Sequence, residues 1–434
     1  MLLKVPMTAI QLLLYILLGV FAQVSIAALL GMYRHLRSYR HLQKRMSGLE
    51  TKAMPEPKLK DFMPNISQNK AAPWKNDREF RVVRRVDEDE AESICSFYLQ
   101  PTDGGDLPDY KPGQFLTFNL DIPNPKNGKI EPITRCYSLS DGPNQPYYRV
   151  SIKRAPAPKD QPQIPPGISS NYFHDHVHEG DVLRVRAPSG HFFLDPDTSP
   201  IVLIGGGVGI TPMLSMLNAT LNNNNDREIW LFYGVTNSLD HGMKAHFEEM
   251  ALKHENFNLH VCYANPLAQD KLGRDYQHKG FIDLTLLRLQ LSFQVYNFYI
   301  CGPKPMMESL IPALEAWGVP DQMIHYESFG PASITRSSRK TEPEYDAQHV
   351  DISVTFSESN LTIPWDKNSI SLLDFAEKNG ISVQAGCRAG GCGCCQTQIE
   401  EGEVAYIQTP DFDVDQGSCL LCVSRPSQNL TVKA

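Results

Sequence analysis

Ten cysteines occur in the 434 residues, and six of them crowd between Cys387 and Cys422. Cys387, Cys392 and Cys395 follow the spacing C-x4-C-x2-C within GCRAGGCGCC, and Cys422 completes a set of four in CLLCVSRP. Four thiolates so spaced hold two irons, a [2Fe–2S] centre. Two other uses of thiols compete. Zinc favours paired C-x2-C knuckles, which Cys392 with Cys395 and Cys419 with Cys422 would supply; a disulfide staple is the third reading. Gly386, Gly390, Gly391 and Gly393 argue against zinc, because they let the backbone wrap closely and aim N–H groups at sulfide. The [2Fe–2S] reading is favoured, with Cys394 and Cys419 outside the ligand set.

A second constellation is built of glycine. IVLIGGGVGITP sets Gly205, Gly206, Gly207 and Gly209 after an apolar run and before Thr211 and Pro212. It departs from G-x-G-x-x-G, since Pro212 stands where the third glycine belongs. The physical reading holds: glycines admit a pyrophosphate closely, and Thr211 is expected to cap a helix whose first position is Pro212. YICGPKPM repeats the arrangement, with Cys301, Gly302 and Pro303 ending a later strand where ligands sit on open α/β sheets. Cys301 is either a buried packing residue or the lining of a nicotinamide pocket.

The elements that must carry these residues change character along the chain. Residues 75–198 hold short aromatic and β-branched runs such as EFRVVRRV, GQFLTFNL and YYRVSIKR, parted by Gly/Pro turns, which predicts an antiparallel barrel. Over 199–331 strands alternate with helices, which predicts a parallel sheet. Residues 332–348 read as a linker, and 349–434 as the domain that holds the cysteines.

The start is different again. Met7 to Tyr33 has no charged residue and is long enough to span a bilayer. Lys4 precedes it, whereas Arg34, Arg37, Arg40, Lys44 and Arg45 follow it. This predicts an anchor over 1–33, a linker over 34–74, and catalytic domains on the cytoplasmic side of the inner membrane. Disulfides are disfavoured there. A net charge of −8 without a basic stripe excludes a nucleic-acid partner.

RCYSLSDGPN, YYRVSIKR, PPGISSNYFHDHV, IVLIGGGVGITPMLSML, YICGP and IHYESFGP, in that order, resemble the ferredoxin–NADP reductase superfamily over residues 78 to 331. The reductase half of flavohemoglobin is the nearest form. The cysteine-bearing end, with GEVAY between its motifs, is similar to a plant-type ferredoxin. The resemblance implies a multidomain chain: transmembrane helix, antiparallel β-barrel for the flavin, parallel α/β domain for the nicotinamide, and an α+β β-grasp ferredoxin domain. Arg135, Tyr137 and Ser138 match R-x-Y-S, in which Tyr packs on the isoalloxazine and Arg pairs with flavin phosphate. Gly167, Ser169 and Ser170 match the helix start that holds a pyrophosphate, which implies FAD rather than FMN. Phe329 matches an aromatic beside the flavin. Tyr137, Ser138, Cys301 and Phe329 are the expected catalytic positions; Gly205, Gly207, Gly209, Thr211, Pro212, Gly302 and Pro303 are expected to bind the nicotinamide nucleotide. Cys394 stands where ferredoxins usually carry Thr or Ser.

Such an order of domains implies a flow from NAD(P)H to FAD to the [2Fe–2S] cluster and on to a protein acceptor: an oxygenase, hydroxylase, desaturase or hybrid-cluster protein, in or near a membrane. A sodium-pumping NADH:quinone reductase subunit resembles it but carries its ferredoxin before the flavin domain. A nitric oxide dioxygenase needs a globin segment, which is not expected here. A membrane redox sensor would not need a complete nicotinamide site. NADH is favoured over NADPH: FYGVTNSLDHGMKAH has no arginine after the second strand, Lys244 is its fixed cation, and Asp240, with Asn237 and Ser238, is placed for ribose hydroxyls. Deleting residues 1–33 is expected to release a soluble protein that still oxidises NAD(P)H with ferricyanide, and a C-terminal reporter on the full chain is expected to behave as cytoplasmic. A reporter found on the outer side would refute the orientation.

Overall fold

The computed structural model describes residues 73–434 other than Lys75, 124–127, 158–164, 223–226, Ser328, 330–351, Ala389, Gln408 and Asp411. The expected anchor Met7–Tyr33 lies outside the described residues, as do both expected linkers apart from Pro73 and Trp74. Among the described residues no helix is long and apolar enough to cross a membrane.

Alternation builds the first sheet. In β1 (Arg78–Asp87) Phe80 and Val82 are buried while Glu79 and Arg81 are exposed, the period of a strand with one wet face. With β2 (Ile94–Pro101), β3 (Phe115–Pro123), β4 (Ile130–Ser138), β5 (Tyr148–Lys153) and β6 (Val182–Ser189) it forms an antiparallel sheet ordered β4-β3-β6-β1-β2-β5. Leu139 bridges Val150, and Ser140 N donates to Arg149 O at 2.8 Å. These bonds join the two edge strands into a barrel. Helix α1 (Ile168–His176) inserts Phe173 edge-on against Phe97 and Phe118, at 5.2 and 5.3 Å. Trp74 packs on Phe80 and donates from Nε1 to Val185 O at 3.0 Å, so the barrel's contacts begin just before the change of texture at Lys75.

The second sheet needs no alternation because both its faces are covered. Every residue of β7 (Ile201–Gly206) is buried, as expected for a parallel strand between helix layers. β8 (Ile229–Val235), β9 (Phe257–Tyr263), β10 (His278–Lys279), β11 (Asn297–Cys301) and β12 (Ile324–Glu327) complete it in the order β10-β9-β8-β7-β11-β12. α2 (Ile210–Asn222) and α3 (Lys244–Lys253) cover one face through Met213, Leu217 and Phe247; α4 (Leu284–Gln290) and α5 (Lys304–Trp317) cover the other through Leu287, Leu310 and Ile311. Strand order reverses between β7 and β11. A crevice therefore opens at their carboxyl ends, the usual seat of a nucleotide.

The third domain holds one helix on a mixed sheet, as expected of a β-grasp. β13 (Ser353–Phe356), β14 (Leu361–Pro364), β15 (Gln396–Glu401), β17 (Ser418–Leu420) and β19 (Leu430–Val432) are ordered β14-β13-β19-β15-β17, and β16 (Val404–Tyr406) pairs with β18 (Ser424–Pro426). Ser371 caps α6 (Leu372–Lys378), its Oγ accepting from Asp374 N at 3.2 Å. Leu372, Phe375 and Ala376 then pack with Val354, Phe356 and Leu421.

Asp141 fixes the barrel to the nicotinamide sheet. Its carbonyl accepts from Ser215 Oγ of α2 at 2.6 Å, and its carboxylate accepts from Asn218 Nδ2 at 2.8 Å and Tyr147 OH at 3.1 Å. Arg149 Nε lies 3.8 Å from the same carboxylate, and both residues are buried. Asp141→Ala is expected to lower the unfolding free energy of the chain by roughly 3 kcal/mol, because loss of one partner strands the other charge away from water. Asp103→Ala breaks the exposed Arg78–Asp103 pair and is expected to cost under about 1 kcal/mol. Urea denaturation followed by tryptophan fluorescence measures both; equal losses would show the junction to be no more demanding than the surface.

Candidate functional site

Three groups of residues are brought together, one per domain. On the barrel, Tyr137 and Ser138 end β4, and Tyr137 OH lies 3.0 Å from Ser169 Oγ in the first turn of α1. The R-x-Y-S strand and the Gly-Ser helix start therefore meet directly. Tyr137 packs edge-on against Phe118 and Phe173, and burial pushes its hydroxyl up to about 12, which keeps it a donor at neutral pH. Ser138 is buried. Arg135 is exposed, with Nη1 donating to Thr134 O at 2.8 Å; its planar fork has further donors to offer a phosphate. Gly167 precedes α1, whose start carries no side-chain cap and no acidic residue. First-turn N–H groups, with Ser170 beside them, thus remain for an anion.

The crevice of the parallel sheet is lined by backbone. β7 and β11 end side by side, with Cys301 in register with Gly205. A Cβ on Gly209 would lie 2.2 Å from the Cys301 carbonyl oxygen, so the turn holds its shape only with glycine there. Gly302 and Pro303 lead into α5, and a Cβ on Gly302 would lie 3.1 Å from Gly206 Cα. The expected cap is corrected. Gly207–Gly209 forms a 3₁₀ turn and the helix begins at Ile210, so Thr211 is already helical. Its hydroxyl donates to Val208 O at 3.0 Å instead of accepting an N–H. Pro212, next in the first turn, is likewise helical and buried. Cys301 is fully buried, and burial followed by the nearby Glu327 carboxylate pushes its thiol up, so it stays neutral. Phe329, just past β12, is 43% exposed.

Four of the six cysteines of the third domain fall into two pairs. Cys387 N donates to Cys392 Sγ at 3.2 Å and Gly391 N to Cys387 Sγ at 3.3 Å; Cys422 N donates to Cys395 Sγ at 3.4 Å. Two pairs suit two irons, each taking two thiolates. Each pair also favours one thiolate, the form that binds metal. Cys136, then Cys387 and Cys394, hold the Cys392 thiol well below its ordinary range, and Cys422 lowers that of Cys395. Gly393 takes φ +73°, and a Cβ there would lie 2.4 Å from the Phe412 ring, so the turn between the pairs requires glycine. Cys419 is buried in its own domain core, and Cys394 lies beside Cys392. A cleft of about 350 Å³ separates Pro132–Arg135 of β4 from Val383–Ala385 and Cys394.

Two residues of this site escape a reading of motifs. Glu327 pairs in register with Cys301, its Oε2 has no hydrogen-bond partner, and burial pushes its carboxyl up to about 8. Its signal was present as the acid two residues before Phe329 in YESFG. Cys136 lies inside the quoted RCYS motif, but its partners lie in another domain.

Barrel, crevice and paired thiols together define an electron-transfer oxidoreductase with nucleotide and iron–sulfur sites. Two sequence families match the chain, an oxidoreductase NAD-binding domain over residues 203–310 and a 2Fe-2S iron-sulfur cluster binding domain over residues 354–427. A flavohemoprotein of Halalkalibacterium halodurans is 42% identical over 266 residues, which cover 61% of this chain and 62% of that protein. The chain thus spans less than two thirds of the length of that curated relative. The flavohem-like FAD/NAD-binding domain of a nitric oxide dioxygenase from Vibrio cholerae is 31% identical with a TM-score of 0.51, and the match covers 59% of this chain and 100% of that domain. An intact type IV self-sufficient cytochrome P450 monooxygenase shares the fold at 22% identity and a TM-score of 0.52, covering 87% of this chain and 44% of that one. The chain belongs to the flavohemoglobin-type FAD/NAD-binding reductases and carries a [2Fe–2S] domain after the reductase part.

Wild type, Cys394→Ser and Cys419→Ser are each expected to carry about two irons per chain with a [2Fe–2S] absorption and paramagnetic signal. Serine at Cys387, Cys392, Cys395 or Cys422 is expected to abolish that signal. Iron lost from Cys394→Ser or Cys419→Ser but kept in Cys422→Ser would overturn the ligand assignment.

Proposed function

We propose that the chain is a membrane-tethered reductase that carries electrons from NADH, through FAD and a [2Fe–2S] cluster, to a protein acceptor. The observation that carries this reading is a bond across domains: Arg186 Nη1 of β6 donates to the Cys392 carbonyl at 2.6 Å. It holds the thiol loop against the flavin barrel, the proximity that onward transfer requires. When bound, the nicotinamide supplies a hydride, FAD divides the pair into single electrons, and the cluster takes them singly.

The chain's own residues bind, orient and exclude. Arg135 and the open start of α1 would hold the phosphates of FAD, while Tyr137, its hydroxyl tied to Ser169, offers a fixed apolar face to the ring. Gly205, Gly207 and Gly209 admit the nicotinamide nucleotide to the crevice beside Gly302 and Pro303. Glu327, half-buried beside Cys301, keeps a proton on its carboxyl at neutral pH and presents a neutral wall there. Cys387, Cys392, Cys395 and Cys422 would hold the cluster. The uncharged run Met7–Tyr33 and the basic residues after it support a tether with the domains in the cytoplasm. The acceptor is proposed to be an oxygenase, hydroxylase, desaturase or hybrid-cluster protein near that membrane.

Preference for NADH rests on charges already committed. Lys244 Nζ lies 2.9 Å from Asp275 Oδ1, and Arg274 Nε donates to the same carboxylate at 2.9 Å. Cations neutralised in this way have little to offer a 2′-phosphate, whereas Asp240, in the turn Ser238–Asp240, suits a ribose diol. Full-length protein in detergent is expected to give a kcat/KM for NADH about tenfold above that for NADPH, the free energy of one ordinary hydrogen bond. Steady-state reduction of ferricyanide measures the ratio. A value well below one would sink the preference and assign Lys244 to the phosphate.

A further inference from the structure

Strand β4 touches different chemistry on its two faces. Tyr137 turns inward to Phe118, Phe173 and Ser169. Thr134 and Cys136, two residues apart, share the opposite face, as the pleat demands. Thr134 Oγ1 donates to Asn119 Oδ1 at 2.8 Å, and Thr134 and Cys394 line the same cleft. Cys136 Sγ lies 3.4 Å from Thr117 Oγ1 on β3, and Thr117 pairs in register with Cys136 on one side and with Arg186 of β6 on the other, so the three share the face to which Arg186 ties the Cys392 carbonyl.

The contact is held from several directions. Besides its bond to the Cys392 carbonyl, Arg186 lies over the Phe412 ring at 5.3 Å. A Cβ on Gly391 would come within 3.3 Å of both Phe115 and Ser189 of the barrel. Backbone of the thiol loop and backbone of the barrel are thus as close as side chains allow. The other cysteines of the first two domains, Cys95, Cys262 and Cys301, are buried in their own cores. Cys136 is the cysteine that the flavin barrel sends to the ligand pair.

We propose that Cys136 is a positioning residue that donates its S–H to the ligand sulfurs of Cys387 and Cys392, and so raises the reduction potential of the cluster from the flavin side. The proposal rests on the reading of these cysteines as cluster ligands. Reduction adds negative charge that ligand sulfurs share, and a donor to those sulfurs stabilises the reduced state. Thr117 completes a chain: its hydroxyl donates into the Cys136 sulfur while the Cys136 proton is turned toward the ligands. Cooperative polarisation along such a chain strengthens the terminal donor. Serine at this position keeps a donor on a shorter arm; alanine removes it.

Redox titration of full-length wild type, Cys136→Ala and Cys136→Ser, followed by the paramagnetic signal of the reduced cluster, tests this. Iron and flavin contents of each sample serve as controls. Cys136→Ala is expected to move the one-electron equilibrium about tenfold toward the oxidised cluster, which for one electron is about 59 mV. Cys136→Ser is expected to stay within about threefold of wild type, since a hydroxyl still donates. An exchangeable-proton coupling to the reduced cluster, read in deuterium oxide, is expected in wild type and absent from Cys136→Ala. Full iron with an unchanged potential in Cys136→Ala would overturn the inference and leave the proposed function standing. A wild-type protein with no [2Fe–2S] signal would overturn both. Should Cys136→Ala lose its iron, Thr117→Val takes its place: a shift in the same direction supports the chain of donors, and an unchanged potential refutes it.

Discussion

The pleat of β4 is the constraint on which the rest of the molecule depends. Successive side chains leave a strand on opposite faces, so one short segment can serve two sites at once. Tyr137 turns to the interior of the barrel against Phe118 and Phe173, while Thr134 and, two residues on, Cys136 share the face toward the third domain. A slip of one residue in the pairing of β4 with β3 would exchange these sets. The register is well secured: Phe115 to Pro123 pairs residue for residue with Ser138 to Ile130. Leu139 then crosses to Val150 and closes the barrel.

How much of this was legible in sequence followed from how local each signal is. The C-x4-C-x2-C spacing and the glycine turns are short-range patterns, and the structure assembles each within a single loop. Sheet types were legible too, because alternating burial in β1 and unbroken burial in β7 are direct consequences of one or two covered faces. The helix start after Gly209 was not. Rules for caps assume a helix entered from an extended residue, whereas here a 3₁₀ turn winds the chain first and makes Thr211 helical. Glu327 and Cys136 were out of reach for another reason. Their importance comes from neighbours on distant strands and domains, and no periodicity along one segment reports a contact made across the fold.

Distribution of rigidity also follows from the junctions. Asp141 ties the barrel to α2 through two donors, Ser215 and Asn218, and is held on the barrel side by Tyr110, Gly142, Tyr147 and Arg149. The same helix begins at the glycine turn of the crevice. Flavin and nicotinamide sites are thus mounted on opposite ends of one rigid connection, which suits hydride transfer because small errors of position are costly there. The third domain is attached through Arg186, which bridges β6 to the Cys392 carbonyl of the thiol loop and lies over the Phe412 ring. Single-electron transfer asks for proximity more than for angular precision.

Sulfur chemistry within that third domain is asymmetric. Cys395 and Cys422 lie in the domain's own core, among Leu420, Leu421 and Val423. Cys387 and Cys392 lie toward the barrel, where Arg186 holds the Cys392 carbonyl and Gly391 N and Cys387 N donate to the Cys387 and Cys392 sulfurs. Donors stabilise added negative charge, and an apolar wall does not. Hydroxyl-bearing residues fill the corresponding loop position in ferredoxins similar to this domain, and Cys394 replaces that hydroxyl with a weaker donor. On the proposal that Cys136 donates to the ligand pair, the potential of the cluster is set in part by the seam between barrel and thiol loop.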